Sequence, residues 1–226
     1  MIPQRKTESE KKRIIANCAK CGGASCSVCQ RYCSYIDQMS EAEIPADYWF
    51  REFGQWYGDQ EFGEWLKASY LTKIEKVYSD GKVLCLCGKR GVGKTMAACS
   101  ILKKAILTSF STHYTSLVDA VDNLVSSDAH EYRRLLKSAD FLVVDEVDQR
   151  FFSSPNSRAL YGSQFEGILR TRTQNRLPMV MCSNAGNLDE IFAGEFQESF
   201  ESLRSQFLVE KIVRGHDARK EKGADA

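Results

Sequence analysis

Runs of consecutive apolar residues alternate along this chain with stretches whose apolar positions recur every three or four residues. That alternation predicts parallel strands buried on both faces, set between amphipathic helices. Five segments carry the strand pattern: Val83-Leu84-Cys85-Leu86-Cys87, His113-Tyr114-Thr115, Phe141-Leu142-Val143-Val144, Pro178-Met179-Val180-Met181-Cys182, and Leu208 to Val213. Helices are predicted between them: Lys94 to about Leu107, a segment capped by Ser116 and running through Val125, Glu131 to Lys137, Leu160 to Thr173, and Phe196 to Phe207. This order of elements describes an α/β fold.

Upstream, Glu43 to Tyr78 is rich in aromatics: Tyr48, Trp49, Phe50, Phe53, Trp56, Tyr57, Phe62, Trp65, Tyr70 and Tyr78. Asp59 is placed to cap a helix carrying Phe62, Trp65/Leu66, Tyr70 and Ile74 on one face and stopped by Gly81. Such a belt either packs on a core or stacks on bases, and packing is the commoner use. Part of it could also border an adenine pocket, because it feeds into the Val83 strand.

A chain of 226 residues has room for one sizeable α/β domain plus a small appendage. Its net charge of +1 provides no whole-molecule basic field, so contact with nucleic acid would have to be local. Arg133, Arg134 and Lys137 form one local basic cluster, whose ordinary reading is a solvated helix face. No apolar run approaches a membrane span, and Met1-Ile2-Pro3-Gln4-Arg5-Lys6 lacks the apolar core of a signal peptide. A cytoplasmic location is expected, where disulfides are rare.

The nine cysteines then need another explanation. Cys85, Cys87, Cys99 and Cys182 sit in apolar segments and read as small core residues. Cys18-x-x-Cys21 and Cys26-x-x-Cys29 are two chelating pairs, followed by Cys33, and point to a metal-binding module. Zinc held by four of these five thiolates is the first expectation. Cys21-x4-Cys26-x2-Cys29 also matches a ferredoxin spacing, which keeps an iron–sulfur cluster open. Unliganded thiols in a tail are the plain alternative.

The sharpest chemistry lies at Gly88-Lys89-Arg90-Gly91-Val92-Gly93-Lys94-Thr95, which is G-x-x-x-x-G-K-[ST] between a strand and a helix. Glycines let the backbone curl so that amides of the loop and helix start, Gly88, Gly91, Val92, Gly93 and Met96 among them, face phosphate oxygens. Lys94 would reach the β- and γ-phosphates and the Thr95 hydroxyl would ligate Mg²⁺. An ATP site is therefore expected. Asp145 and Glu146 end the next long apolar run; Asp145 would hold Mg²⁺, and Glu146 would deprotonate the attacking water. Asn184 ends the Pro178 strand, either as a γ-phosphate sensor or as an ordinary turn residue before Gly186.

The order Walker A, Asp-Glu strand, Ser183-Asn184 strand and a late Arg-containing helix resembles the AAA+ ATPases. It is most similar to the helicase loaders of the DnaC/DnaI type and the related IstB transposition ATPases. Ile44-Pro45-Ala46-Asp47-Tyr48, Arg172 running through Pro178 to Asn184, and Leu203-Arg204-Ser205 with Gly215-His216-Asp217-Ala218-Arg219 carry the likeness. Asp217 stands where that group usually has Ser, so the role of Arg219 stays open.

The resemblance implies a five-stranded parallel AAA+ core without a helical lid and ATP-dependent self-association. It further implies an arginine finger in trans, for which Arg204 is the candidate, with Arg172 as a second interface arginine. The expected layout is a Cys-rich module over 1–40, an aromatic linker and lead-in helix over 41–80, the core over 81–220 and a polar tail over 221–226. The function implied is loading of a replicative helicase onto single-stranded DNA, gripped through the metal module, with slow, partner-stimulated ATP hydrolysis. A transposition helper of the IstB kind is the alternative within the fold. A metal-module adaptor with nucleotide as a structural ligand is the alternative outside it, and Glu146 argues against that.

Overall fold

The computed structural model describes residues 4–56, 58–126, 129–152, 154–192, 201, 204, 208–215 and 217. Backbone contacts divide the chain into two compact units, Met1–Arg51 and Glu52–Ala226.

In the first unit, α1 (Gln4–Ala16) and α2 (Ser27–Glu41) lie side by side. Thr7 Oγ1 meets Ser40 Oγ at 3.1 Å, and Lys11 Nζ pairs with Asp37 at 2.8 Å. Ile36, Met39, Ile44 and Trp49 are buried, and the Trp49 indole N–H donates to Ile44 O at 2.8 Å. The segment joining the two helices holds Cys18, Cys21 and Cys26, and Cys29 lies in the first turn of α2.

In the second unit, the single helix expected between Asp59 and Gly81 is two helices. Both predicted ends form: Asp59 Oδ1 accepts from Phe62 N at 3.1 Å to cap α3 (Gln60–Leu66), and Gly81 closes α4 (Ile74–Asp80) at φ 61°. Between them a wide turn spans Lys67–Leu71. The Thr72 hydroxyl back-bonds to Ala68 O at 3.1 Å and Lys73 leaves helical dihedrals at φ −127°, which ends the run. Phe62, Leu66, Tyr70, Ile74 and Val77 are nonetheless all buried, so most of the belt's helical part packs on the core.

The remaining elements follow the predicted alternation: β1 (Val83–Cys87), α5 (Lys94–Leu107), β2 (Thr112–Ser116), α6 (Leu117–Leu124), α7 (Ala129–Ser138), β3 (Phe141–Asp145), α8 (Pro155–Ser157), α9 (Ser163–Gln174), β4 (Met179–Ser183), α10 (Leu188–Ile191) and β5 (Leu208–Ile212). α9 starts three residues later than Leu160, because a wide turn over Arg158–Gly162 precedes it. The expected helix over 196–207, the question of a lid and the polar tail fall on residues outside those described, apart from Glu201 and Arg204.

The strands form one parallel sheet in the order β2-β3-β4-β1-β5. Every residue of β1, β3 and β4 is buried, as their unbroken apolar runs require. Register aligns the strand ends: Cys87 pairs with Ser183, and Ser116 with Asp145. Gly88, Asp145 and Asn184 consequently emerge along one edge of the sheet, at the carboxyl ends where α/β folds place ligands.

Candidate nucleotide site and cysteine cluster

Gly93 is the residue on which α5 begins, at φ 102°, and a Cβ there would come 2.7 Å from the Trp56 ring. Gly88 turns the chain out of β1 at φ 143° with its N–H on Ala185 O, and a Cβ would strike Val213 O at 2.3 Å. Only glycine meets both demands at each position. The loop thus aims the first-turn amides of α5, which have no intrahelical acceptors, into the space over the strand ends.

Lys94 leaves only 7% of its surface exposed, and its ammonium donates to Gly88 O at 2.6 Å, Lys89 O at 2.8 Å and Asn184 Oδ1 at 3.2 Å. Burial pulls its pKa down from the ordinary lysine value. An ammonium so placed, held by neutral oxygens, fits an anionic group at this loop. The other face of Asn184 is fixed by Asp148, whose Oδ1 accepts from the Asn184 backbone and side-chain amides at 3.4 Å each. That contact orients the carboxamide oxygen toward Lys94.

Asp145 is buried and accepts from Thr95 Oγ1 at 2.8 Å, Tyr114 OH at 2.9 Å and Glu146 N at 2.7 Å. Burial first, and the Asp145 charge second, push the Tyr114 phenol far above its usual pKa. Glu146 is exposed and sits at φ 58°, a left-handed conformation that a non-glycine residue adopts at a cost of about 1–3 kcal/mol. The turn directs the two acids differently: Asp145 faces Thr95, and Glu146 faces solvent beside it. A hydroxyl, a buried carboxylate and an exposed carboxylate are suited to a hard divalent cation and an attacking water.

The second cluster is Cys18, Cys21, Cys26 and Cys29, whose sulfurs all lie within 4.8 Å of one another. Cys18–Cys26 and Cys21–Cys29 are 3.8 Å apart and Cys26–Cys29 3.9 Å. A tetrahedron with Zn–S bonds of ~2.3 Å has edges of about 3.8 Å, so one zinc-sized ion fits among them. An iron–sulfur cluster spreads four thiolates over two or more irons, which sets those on different irons farther apart than one ion does. The Cys26 N–H donates to Cys29 Sγ at 3.0 Å, and backbone amides of Cys29 and Val28 pull the Cys26 thiol down to about 6. Cys33 stands outside the cluster, its Sγ facing Lys11 O at 3.9 Å. The structure therefore groups four of the five candidate cysteines and separates the fifth.

The two arginines expected at a subunit interface occupy different surroundings. Arg204 is exposed, paired with Asp189 and, at 3.4 Å, with Glu210 of its own chain. Arg172 departs from the expectation. It is fully buried and donates to Leu136 O at 2.8 Å, Ala139 O at 2.9 Å and Pro178 O at 2.7 Å. The last carbonyls of α7 have no intrahelical donors, and Arg172 supplies donors from α9. Arg219 lies outside the described residues. The sequence reading missed Tyr114, Asp148 and the position of Trp56 against the loop. Tyr114 and Asp148 carried a weak signal, one lying two residues before the end of a strand and the other three residues after Asp145.

Residues 84–202 match the ATPase family associated with various cellular activities (AAA). Among solved structures the chain is similar to DnaI, with a TM-score of 0.61 and 17% identity over 77% of this chain and 93% of that one. It is similar to the DnaC helicase loader with a TM-score of 0.57 and 14% identity, over 75% and 100% respectively. A replication initiator, DnaA bound to AMPPCP and single-stranded DNA, has a TM-score of 0.58 and 20% identity over 80% of this chain. The chain spans only 46% to 56% of the length of the first replication-initiation structures it matches. At these identities the likeness is one of fold. No curated protein matches the chain.

Proposed function

We propose that this chain, which belongs to the ATPase family associated with various cellular activities, loads a replicative DNA helicase onto single-stranded DNA. The observation that supports the reading is the pairing of the nucleotide site with a fold that covers 93% and 100% of the solved DnaI and DnaC chains but 56% of the solved DnaA chain. A four-thiolate unit ahead of the core supplies a separate surface for gripping the helicase.

In this reading the loop from Gly88 to Thr95 binds the phosphates through its amides, and Lys94 exchanges loop carbonyls for β- and γ-phosphate oxygens. Thr95 and Asp145 hold Mg²⁺, which when bound supplies positive charge to those oxygens. Glu146 accepts the proton of the attacking water, and its exposure leaves room for that water. Asn184, kept in place by Asp148, links the γ-phosphate position to β4. Arg204 acts on the neighbouring subunit's nucleotide once assembly draws it from Asp189, and Arg172 stays structural. Cys18, Cys21, Cys26 and Cys29 hold zinc, and self-association runs through the ATP site.

The test is co-elution of the full chain with the host's replicative helicase in the presence of ATP. A complex lost in a Cys26→Ser/Cys29→Ser variant that still binds nucleotide supports the reading. Absence of any complex, with ATP-dependent filaments on duplex DNA instead, overturns it in favour of a transposition helper.

A further inference from the structure

Asp145 accepts three hydrogen bonds from the described residues. Its Oδ2 takes the Thr95 hydroxyl at 2.8 Å and the Tyr114 phenol at 2.9 Å, while Oδ1 takes the Glu146 amide at 2.7 Å. A carboxylate oxygen offers two in-plane lone pairs, so two hydroxyls occupy Oδ2 fully. The consequence for Thr95 is directional. Its one hydroxyl hydrogen is committed to Oδ2, and its lone pairs face away from Asp145, which is the state a threonine needs in order to ligate a cation. On Asp145 itself, the remaining capacity lies on Oδ1.

Tyr114 reaches this position because of sheet register. Ser116 of β2 pairs with Asp145 of β3, so Tyr114, two residues earlier, points to the same face and meets Asp145 on the diagonal. A phenylalanine would fill the same volume beside β3; the hydroxyl adds nothing to packing and touches the carboxylate.

We infer that Tyr114 is a positioning residue for the divalent-cation end of the nucleotide site, locking the Asp145 carboxylate in the rotation that turns the Thr95 lone pairs toward the cation. This rests on the nucleotide-site reading above and deepens it. Without the phenol, Oδ2 regains a lone pair, the carboxylate is held by one side chain instead of two, and the Thr95 hydrogen loses its fixed direction. Outer-shell partners of metal ligands shift metal affinity about 10–100-fold, and removal of one hydrogen bond out of three belongs at the low end.

The experiment titrates Mg²⁺ into the full-length chain holding a fluorescent ATP analogue, for the parent and for Tyr114→Phe. In the variant the Mg²⁺ concentration for half-maximal tightening rises about tenfold, while affinity in EDTA stays within about twofold of the parent. In an Asp145→Asn background the same substitution adds less than about twofold, because the two residues act as one unit. A Mg²⁺ midpoint unchanged by Tyr114→Phe overturns the inference. So does a full shift that persists in Asp145→Asn, since the phenol would then act elsewhere. If the parent itself binds the analogue no better with Mg²⁺ than with EDTA, the nucleotide-site reading fails and takes the inference with it. A Mg²⁺-dependent parent with an indifferent variant defeats the Tyr114 assignment alone.

Discussion

Replacing Arg172 by methionine keeps most of the side chain's volume and removes every donor it offers. Three short hydrogen bonds disappear, to Leu136 O, Ala139 O and Pro178 O, in a site with no solvent exposure. Leu136 O and Ala139 O are left stranded at about 1–3 kcal/mol each, while Pro178 O keeps the Leu142 N–H at 3.4 Å and loses only about 1 kcal/mol, or about 5 kcal/mol together. Part is returned, because the guanidinium is itself costly to bury. Its Nε has no partner among the described residues, and burial pulls its pKa down to about 9, still cationic at neutral pH. Relief of that cost offsets roughly 2 kcal/mol. The expected loss is about 3 kcal/mol of unfolding free energy, or about 9 °C in melting temperature for a domain of this size. Urea unfolding followed by tryptophan fluorescence reads it directly, and nucleotide affinity measured well below the melt should stay near that of the parent. A variant within about 1 kcal/mol of the parent that fails only in assembly would refute the argument and return Arg172 to an interface.

Other outcomes follow from single contacts. His113 is buried in β2 and its pKa falls to about 4 through burial, so the unfolded chain binds its proton first as pH drops below ~6.5. Stability should therefore fall by about 2 kcal/mol from pH 7 to pH 5 beyond any loss shared with His113→Phe, as seen in paired urea titrations. Gly93→Ala should weaken nucleotide binding and destabilise the core by roughly 2 kcal/mol or more. Adding Trp56→Ala should recover only the steric part, because φ 102° remains unfavourable for alanine. Elemental analysis of the purified chain should find one zinc per chain, retained in Cys33→Ser and lost in Cys26→Ser.

What the sequence determined by itself was local. The strand runs, the start of α5 at Lys94, the caps at Asp59, Gly81 and Ser116, and the paired cysteines all depend on spacing over a few residues, and such spacing survives without knowledge of the neighbours. The loop from Gly88 to Thr95 was legible for the same reason, since its chemistry needs glycines, lysine and threonine at fixed offsets. The break at Thr72 was not, because a hydroxyl back-bond competes only weakly with helix propagation and the surrounding packing settles the contest.

Tertiary structure alone decided which cysteine stands apart, since that depends on how the loop folds before α2 rather than on the count of thiols. It alone showed Arg172 among carbonyls. The position falls on the inward face of α9 with Phe165 and Leu169, but a cation there has meaning only once α7 ends against it. Tyr114 and Asp145 are 31 residues apart and meet because β2 and β3 are neighbours in one register. Pairings of that kind are set by the sheet order, and no local period in the chain encodes it.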